Sequence, residues 1–436
     1  METWLLSILA FGAMGVMLAL GVPIAFALGA VALAGTIITW GPAGLYMIPK
    51  TAYAEMTNYL LIAVPLFVLM SNLLQHSGLA EQLYEGVYRW MGRLRGGLAI
   101  GTVIICAVFA AMAGISSVAT VSMGLIALPS MLKRGYQKEI AIGAISAGGA
   151  LGILIPPSVI MIIYGAMAEV SIGQLFMGGI IPGVLLAALF CLYVGIRCWL
   201  EPGLGPPVEE RYSFLQKLVV LRGLVLPCVL ILTVLGVIYT GVATPTEASG
   251  IGAFGALICA LLYRGLTLRT LKQALISTTS LTAMVLWIMV GAVCFTHLLA
   301  YVGFSDLIKQ AITALPVSRW IVLLGMQLTF FILGMFLDPA GIIMLTTPIF
   351  VPIVGALGFD PVWFGVLFTV NMEMAYITPP FGFNLFIMKG VVPKGVTMDD
   401  IYRSIAPFVA LQAIGLIMCM IFPELVLWIP ATMVSK

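Results

Sequence analysis

Oxygen-bearing side chains are concentrated in the segment Gly114-Ile-Ser-Ser-Val-Ala-Thr120, inside an otherwise apolar stretch of the chain. Serine and threonine hydroxyls and unwound backbone carbonyls are ligands that small hard cations accept. We therefore predict one cation site at the hydroxyls of Ser116, Ser117 and Thr120 together with Gly149 and Gly152, which precede a Pro-Pro pair. Small residues also let helices pack closely, and for Ser117 packing explains the residue equally well.

Three acidic residues interrupt apolar stretches in the second half of the chain: Asp338, Glu247 and Glu373. We predict a second cation site from Asp338 and Thr378. Glu247 follows Thr244-Pro-Thr, a pattern typical of a helix start, so capping is an alternative explanation for it. For Glu373 two roles stay open, namely packing against a polar partner and lining a pathway.

Two Pro-Pro pairs, Pro156-Pro157 and Pro379-Pro380, stand within long apolar runs. A proline inside a helix costs about 3 kcal/mol, but a proline is well tolerated at the first helical position. Each pair therefore predicts a helix broken into two half-helices. Because the ends of half-helices can face a bound ligand, we predict contacts with a ligand from hydroxyls and an amide near these breaks: Ser116, Ser117, Thr120, Ser158 and Asn384.

The composition places these residues in a membrane protein. Of the 436 residues 62% are hydrophobic and 8% are charged, and the mean hydropathy is +1.17. A soluble domain carries about 25% charged residues, so the chain is predicted to be an all-α polytopic membrane protein. The net charge of +3 is too small to suggest a nucleic-acid partner.

Most apolar runs have about the 20 residues that span a bilayer. Two runs, 98–131 and 320–355, are too long for one crossing and too short for two crossings with a turn. We predict that each forms a re-entrant hairpin, which enters and leaves the membrane on the same side. Each hairpin is followed by a predicted broken helix, at about 139–168 and 361–391.

The two halves of the chain carry matching signals. Pro156-Pro157 matches Pro379-Pro380, and Pro182 matches Pro407 at nearly the same offset. We predict a first repeat over 1–200, a cytoplasmic linker over 201–222 and a second repeat over 223–436. With hairpins counted as not crossing, each repeat has an odd number of crossings, so the second repeat is inverted relative to the first.

The charge distribution orients this arrangement. The alternation of crossings places all but four of the 20 Lys and Arg residues on one side. Positive residues favour the cytoplasmic side, so both termini are predicted to be periplasmic. The four exceptions are Lys50, Lys309, Arg319 and Lys436.

Several segments together resemble a known family. GRLRGGLAI, LIALPSMLKRGY, GALGILIPPSVIMIIYG, GVATPTEASGIGA, FLDPAGIIMLTTPIFVPI and VNMEMAYITPPFGFNLFIMKG occur in order over nearly the whole chain. They resemble the large membrane subunit of tripartite ATP-independent periplasmic (TRAP) transporters. One departure lies at the first predicted hairpin tip, where Gly114-Ile-Ser-Ser stands in place of the SGSS of many members.

The resemblance implies sodium-coupled uptake of a small organic anion across the bacterial inner membrane. A carboxylate is the expected substrate class, and a sulfonate is the alternative. The predicted cation sites then become sodium sites, one with Ser116, Ser117, Gly149 and Gly152 and one with Asp338 and Thr378. The implied partners are a four-helix small membrane subunit and a periplasmic substrate-binding protein. The implied fold is an elevator-type transporter resembling divalent-anion/sodium symporters. No organic cofactor and no transition metal are expected.

Other functional classes fit less well. The chain has no Gly-Lys dipeptide, so a Walker A phosphate loop is absent. It has no HExxH sequence and only two histidines, which argues against a membrane enzyme. An anion channel or a stand-alone divalent-anion symporter stays as the alternative, because re-entrant loops also form selectivity filters.

The hairpins and broken helices, about 98–168 and 320–391, are the predicted moving unit, and the remaining helices are the predicted scaffold with an apolar face for the small subunit. Residues 81–95, EQLYEGVYRWMGRLR, predict an amphipathic helix at the cytoplasmic interface. This helix is either a plain surface helix or an arm that carries the moving unit.

Overall fold

The computed structural model describes residues 3–434 except 211, 264, 305–306, 309, 311–315, 381 and 394, and it describes residues 113, 221 and 224 without their side chains. The described residues form α-helices joined by turns and short 3-10 segments, which confirms the predicted all-α class. Lys309 and Lys436, two of the residues used to orient the chain, lie outside the described residues.

The helices follow the predicted order. In the first half they cover Thr3–Ala19, Ile24–Trp40, Met47–Met56, Ala63–Gln75, Leu79–Met91, Gly97–Ala113, Ser116–Lys133, Lys138–Ala150, Val159–Ala168 and Ile172–Leu200. In the second half they cover Phe214–Tyr239, Pro245–Leu262, Leu268–Tyr301, Arg319–Gly334, Pro339–Ala356, Pro361–Tyr376, Phe383–Val391, Met398–Ile421 and Glu424–Ala431. Among the described helices, 6 are long and apolar enough to cross a membrane, or up to 8 if each of two bent pairs counts as one span.

Both predicted hairpins are helix pairs joined by a short turn. Gly97–Ala113 and Ser116–Lys133 meet at Gly114, whose φ is +62°. Arg319–Gly334 and Pro339–Ala356 meet just before Asp338, which is the N-cap of the second helix. We call these pairs the first and second hairpins. Their re-entry into a membrane stays a prediction.

Both predicted broken helices are interrupted at their Pro-Pro pairs. The first consists of Lys138–Ala150 and Val159–Ala168, and the second of Pro361–Tyr376 and Phe383–Val391. The Pro156-Pro157 and Pro379-Pro380 peptide bonds are cis. A new helix begins shortly after each pair, at Val159 and at Phe383.

The predicted linker over 201–222 is shorter in the structure, because a helix begins at Phe214. Ser213 caps it: its hydroxyl accepts from the Gln216 N–H, and the Gln216 side chain accepts from the Ser213 N–H. This reciprocal capping box satisfies two backbone donors at the helix start. The hydropathy pattern alone places the start later, at the first uninterrupted apolar residues.

The helices form two packed groups. The first group, the hairpin unit, contains both hairpins and both broken helices together with Ile172–Leu200 and Met398–Ile421. The second group, the outer helices, contains Thr3–Ala19, Ile24–Trp40, Ala63–Gln75, Phe214–Tyr239, Pro245–Leu262 and Leu268–Tyr301.

Ile172–Leu200 and Met398–Ile421 were expected in the scaffold, but they pack on the broken helices. A Cβ at Gly143 would lie 2.5 Å from the Phe408 ring, so the glycine permits a close approach. Trp363 Nε1 donates to the Cys419 carbonyl at 2.9 Å. These packing contacts place both helices in the hairpin unit.

Equivalent helices of the two halves pack against each other's half in the same pattern. The second helix of each hairpin packs on the second half-helix of the other half: Ser116–Lys133 on Phe383–Val391, and Pro339–Ala356 on Val159–Ala168. Among the outer helices, Ile24–Trp40 packs on Leu268–Tyr301 and Ala63–Gln75 packs on Pro245–Leu262. Each half thus covers surfaces of the other half.

The segment between the halves is bonded to the base of the first hairpin. Gly96 N–H donates to the Gly205 carbonyl at 2.8 Å, and Val208 N–H donates to the Gly92 carbonyl at 2.7 Å. The predicted amphipathic helix is present at Leu79–Met91 and packs on Gly97–Ala113 and Phe214–Tyr239. Its role as an arm stays a prediction.

Candidate functional site

The tip of the first hairpin touches the break of the first broken helix. A Cβ at Gly114 would lie 2.4 Å from the Pro157 carbonyl oxygen, and the positive φ of Gly114 also favours glycine. The Val159 N–H points at the Gly114 carbonyl at 3.5 Å. The hairpin tip and the start of the new half-helix are therefore in direct backbone contact.

Two glycines let the first half-helix approach the hairpin. A Cβ at Gly152 would lie 2.9 Å from the backbone N and Cα of Ser116, and a Cβ at Gly149 would lie 2.0 Å from Thr120 Oγ1. Four residues of the first predicted cation site, Ser116, Thr120, Gly149 and Gly152, are thus brought together. The Ser116 Oγ is buried and has no hydrogen-bond partner among the described residues.

Ser117 lies apart from this group. It faces a cavity of about 170 Å³ that is also lined by Asn72, Gln75 and Ser277. Consecutive helical residues point about 100° apart, because a turn takes 3.6 residues. Ser116 and Ser117 therefore face different surroundings, and the ligand role of Ser117 stays a prediction.

At the second hairpin tip, Asp338 caps the helix that follows it. Its Oδ2 accepts from the Ala340 N–H at 3.1 Å and from the Gly341 N–H at 3.4 Å, and its Oδ1 accepts from the Tyr376 hydroxyl at 3.4 Å. The Thr378 hydroxyl donates to the Met374 carbonyl at 2.7 Å. Sequence reasoning missed Tyr376, although it stands two positions before Thr378 in the helix that leads to the second break.

The two hairpin tips share one cavity of about 70 Å³. Ser116 lines it from the first tip, and Asp338 and Tyr376 line it from the second hairpin and second broken helix. The outer helix Leu268–Tyr301 closes the remaining side through Leu281, Met284 and Val285. We call this space the tip cavity. It joins one member of each predicted cation site.

The tip cavity and the cavity at Ser117 are neighbours. Ile115 of the first hairpin tip and Leu281 of the outer helix line both of them. The two apolar side chains therefore stand between the tip cavity and the second cavity, which we call the side cavity. No Lys or Arg is among the residues that line either space in the described part of the chain.

Thr120 and Asn384 form a buried connection between the halves. Thr120 Oγ1 donates to Asn384 Oδ1 at 3.0 Å, and Asn384 Nδ2 donates to the Ser146 carbonyl at 3.0 Å. All three residues are 0% exposed. Asn384 lies on the first turn of its half-helix, as predicted, but its polar atoms are bonded to protein groups.

Ser158 is the N-cap of Val159–Ala168. Its hydroxyl donates to the Ile153 carbonyl at 2.5 Å and accepts from the Met161 N–H at 3.3 Å. Such a cap satisfies a backbone donor at the helix start. Ser158 thus fixes the direction of the half-helix at the break, and direct contact with an anion stays a prediction.

The other two acids have different surroundings. Glu247 is exposed and forms a capping box with Thr244, whose N–H and hydroxyl donate to Glu247 Oε2 at 2.8 and 2.9 Å. Capping therefore accounts for Glu247. Glu373 is 0% exposed and accepts from Gln412 Nε2 at 3.1 Å, so it packs against a polar partner.

Comparison with known proteins relates this arrangement to a family. The profile described as "Tripartite ATP-independent periplasmic transporter, DctM component" matches residues 11–425. The C4-dicarboxylate TRAP transporter large permease protein DctM of Pseudomonas aeruginosa is 33% identical over 398 residues, which cover 91% of this chain and 92% of the relative. The isethionate TRAP transporter permease protein DctMQ of Oleidesulfovibrio alaskensis is 32% identical over 421 residues, which cover 95% of this chain and 65% of the relative.

A solved structure supports the fold. The YdaH transporter of Alcanivorax borkumensis superimposes with a TM-score of 0.67 at 16% sequence identity, covering 92% of this chain and 96% of that chain. At this identity the likeness concerns the fold alone.

A profile match of this length, with the sequence relatives, shows the family. Membership of a tripartite periplasmic transporter family implies a small membrane subunit and a periplasmic binding protein as partners, and a place in the bacterial inner membrane. The chain belongs to the DctM family of TRAP transporters, as a multi-span permease subunit and not an enzyme.

Proposed function

We propose that the chain carries out sodium-coupled uptake of a small organic anion by an elevator-type movement. The tip cavity is the observation that carries this proposal, because Ser116, Asp338 and Tyr376 converge there from both halves. Inverted-repeat transporters bind substrate and ions where broken helices of the two halves meet.

The absence of basic residues around both described cavities bears on how an anion is held. Without Lys or Arg, its charge is balanced by helix N-termini, hydroxyl groups and co-bound cations. Sodium ions supply positive charge that leaves with the substrate. In this proposal the co-bound sodium ions neutralise the negative charge of the substrate, and the sodium gradient drives its uptake.

We propose two sodium sites in this region. The first uses Ser116 with the backbone of Gly149 and Gly152, where glycine permits close approach to the hairpin tip. The unpartnered Ser116 hydroxyl is a free oxygen ligand there. The second uses Asp338 and Thr378, with Tyr376 as a further oxygen close to the carboxylate.

The proposed substrate class rests on the substrates named for two relatives and on the small size of those substrates. The names of two relatives specify a C4-dicarboxylate and isethionate, which is a sulfonate. Both are small anions. For this chain we propose a carboxylate as the substrate, with a sulfonate as the alternative. Ser116 is the proposed direct contact, whereas Thr120, Ser158 and Asn384 hold the site together through their hydrogen bonds.

The reciprocal packing of the two halves supports the proposed inverted repeat. The bias of positive residues toward one side supports placing both termini in the periplasm. The hairpin unit, including Ile172–Leu200 and Met398–Ile421, is the proposed moving body. The outer helices are the proposed scaffold, and their exposed apolar side chains offer a surface to a four-helix small subunit. Ile115 on the moving body and Leu281 on the scaffold form the proposed barrier between the tip and side cavities.

Transport in proteoliposomes tests the proposal. The chain, its small subunit and its binding protein are reconstituted, and uptake of radiolabelled succinate and of isethionate is measured with inward sodium or potassium gradients. We expect saturable uptake of at least one anion that requires both sodium and the binding protein. Steady anion currents that persist without sodium would instead establish a channel.

A further inference from the structure

Glu373 and Gln412 form a buried polar pair between two helices of the hairpin unit. Glu373 lies on Pro361–Tyr376 and Gln412 on Met398–Ile421, and both residues are 0% exposed. Gln412 Nε2 donates to Glu373 Oε1 at 3.1 Å. Neither residue is assigned a task by the proposed transport cycle.

One oxygen on each side chain has no partner. Glu373 Oε2 and Gln412 Oε1 are both buried, and neither has a hydrogen bond to any described group. An ionised carboxylate can only accept hydrogen bonds, and so can an amide oxygen. As a carboxylate, Glu373 would leave two buried acceptors unsatisfied within one pair, which is an unfavourable arrangement.

The charge of such a carboxylate would also be uncompensated. None of the ion pairs formed by the described residues involves Glu373. A buried ionised group is stable only when it is paired or binds a cation, and otherwise it becomes neutral.

We propose that Glu373 is a proton-binding site: the carboxyl carries a proton on Oε2 and donates it to Gln412 Oε1. This second hydrogen bond runs antiparallel to the one from Gln412 Nε2, so the two groups close an acid–amide ring. A single proton thereby removes the charge and satisfies both unpartnered oxygens.

A metal cation fits this place less well than a proton. Small hard cations take about six oxygen ligands, whereas the pair offers two unpartnered oxygens. Asn371, the nearest other amide on the same helix, lies two positions away and therefore on another helix face. Its Nδ2 donates to Gln327 Oε1 at 2.8 Å, and its Oδ1, which also has no partner among the described residues, would raise the number of unpartnered oxygens only to three.

Both helices belong to the hairpin unit, so the acid–amide ring joins two parts that the proposed movement carries together. Glu373 is then an uncharged contact between the helices Pro361–Tyr376 and Met398–Ile421, and it does not line the substrate pathway. This resolves the two roles that the sequence leaves open for Glu373. It also separates Glu373 from Asp338, which lines the tip cavity.

Infrared spectroscopy of the purified full chain tests the proposal without any transport assay. A protonated carboxyl has a carbonyl stretching band that a carboxylate lacks. We expect the wild-type spectrum to contain such a band, and the difference spectrum between wild type and Glu373→Gln to show its loss. Asp338→Asn is the matched control, and it should leave the Glu373 band in place.

A second variant tests the geometry of the pair. Gln412→Leu removes the Nε2 donor from Glu373 Oε1, so the carboxyl band should shift to higher wavenumber while remaining sensitive to Glu373→Gln. A spectrum without any Glu373-dependent carboxyl band would overturn the proposal. A Glu373-dependent carboxylate band that shifts on adding sodium chloride would also overturn it, in favour of a cation at this place.

Discussion

Thr120 and Asn384 are separated by 264 positions, yet the Thr120 hydroxyl donates to the Asn384 Oδ1 at 3.0 Å. The bond joins the second helix of the first hairpin to the second half-helix of the second broken helix. Asn384 continues the connection to the Ser146 carbonyl in the first broken helix. One buried amide thus connects three helices of the hairpin unit, and Ser116, at the start of the first of them, lines the tip cavity.

Thr120→Val should remove the hydrogen bond to Asn384 and lower the stability of the protein. Valine keeps the shape of threonine but removes the donor, which leaves a buried Asn384 oxygen unsatisfied at a cost of about 1–3 kcal/mol. Thermal unfolding of the purified protein should therefore begin at a lower temperature. Thr233→Val is the control, since the Thr233 hydroxyl bonds only to its own helix at an exposed position. Equal stability of the two variants would contradict the prediction.

Gly152→Ala should disturb the first sodium site. The added Cβ would lie 2.9 Å from the Ser116 backbone, and overpacking of this kind costs about 1–3 kcal/mol. We expect reduced sodium-dependent uptake in a protein that is still inserted in the membrane. Gly325→Ala adds the same group to a helix where nothing lies within 4 Å, and its uptake should match wild type. If both variants transport equally well, the close approach at Gly152 is not needed.

Asp338→Asn should change the response to sodium. The variant keeps a capping oxygen for the helix but loses the negative charge that a cation would neutralise, so half-maximal uptake should require several-fold more sodium or uptake should be lost. Asp360→Asn is a matched control, because Asp360 also caps a helix that starts with proline and accepts from Val362 and Trp363 N–H groups. An unchanged sodium curve for Asp338→Asn would remove Asp338 from the ion site.

Tyr376→Phe tests the same site without changing its charge. It removes the hydroxyl that donates to Asp338 Oδ1 at 3.4 Å. We expect a smaller change in sodium dependence than for Asp338→Asn, measured in the same uptake assay. A larger effect than that of Asp338→Asn would make the tyrosine hydroxyl the principal ligand.

A disulfide between Ile115→Cys and Leu281→Cys, in a background without the native cysteines, should stop uptake. The two positions line both cavities, one on the proposed moving body and one on the proposed scaffold. Reduction should restore uptake. The control pair is Gly135→Cys with Pro206→Cys, where a Cβ at 135 would lie 3.7 Å from the proline ring. Position 135 lies at the base of the first hairpin and position 206 in the segment bonded to that base, so this crosslink should not stop uptake. Full uptake with 115 joined to 281 would contradict the proposed division into a moving body and a scaffold.

Cysteine labelling in the same background tests the inverted arrangement. Positions 93 and 135 should react with an impermeant reagent only from the cytoplasm, and position 310 only from the periplasm. The expectation follows from the bias of positive residues toward one side. Labelling of 93 and 310 from the same side would rule out the inverted repeat.

The sequence by itself determined the class of protein and the places where its helices break. An apolar fraction of 62% excludes a soluble domain, and the two Pro-Pro pairs mark interruptions because proline lacks the amide donor that a continuous helix needs. Glycine and proline act on the backbone within a few residues, so their effects are local and can be read from the chain. The order of family-like segments likewise predicted the transporter family.

Tertiary structure alone decided which polar groups meet. Ser116 and Ser117 are neighbours in the chain, but helix rotation directs one toward the tip cavity and the other toward the side cavity. The partners of Asp338, Glu373 and Asn384 lie on other helices, as the Tyr376, Gln412 and Thr120 contacts show. Such contacts depend on the angles and offsets at which helices pack, which are set by many side chains at once. For the same reason the sequence did not place Ile172–Leu200 and Met398–Ile421 in the hairpin unit, since their apolar faces fit either group until the packing is known.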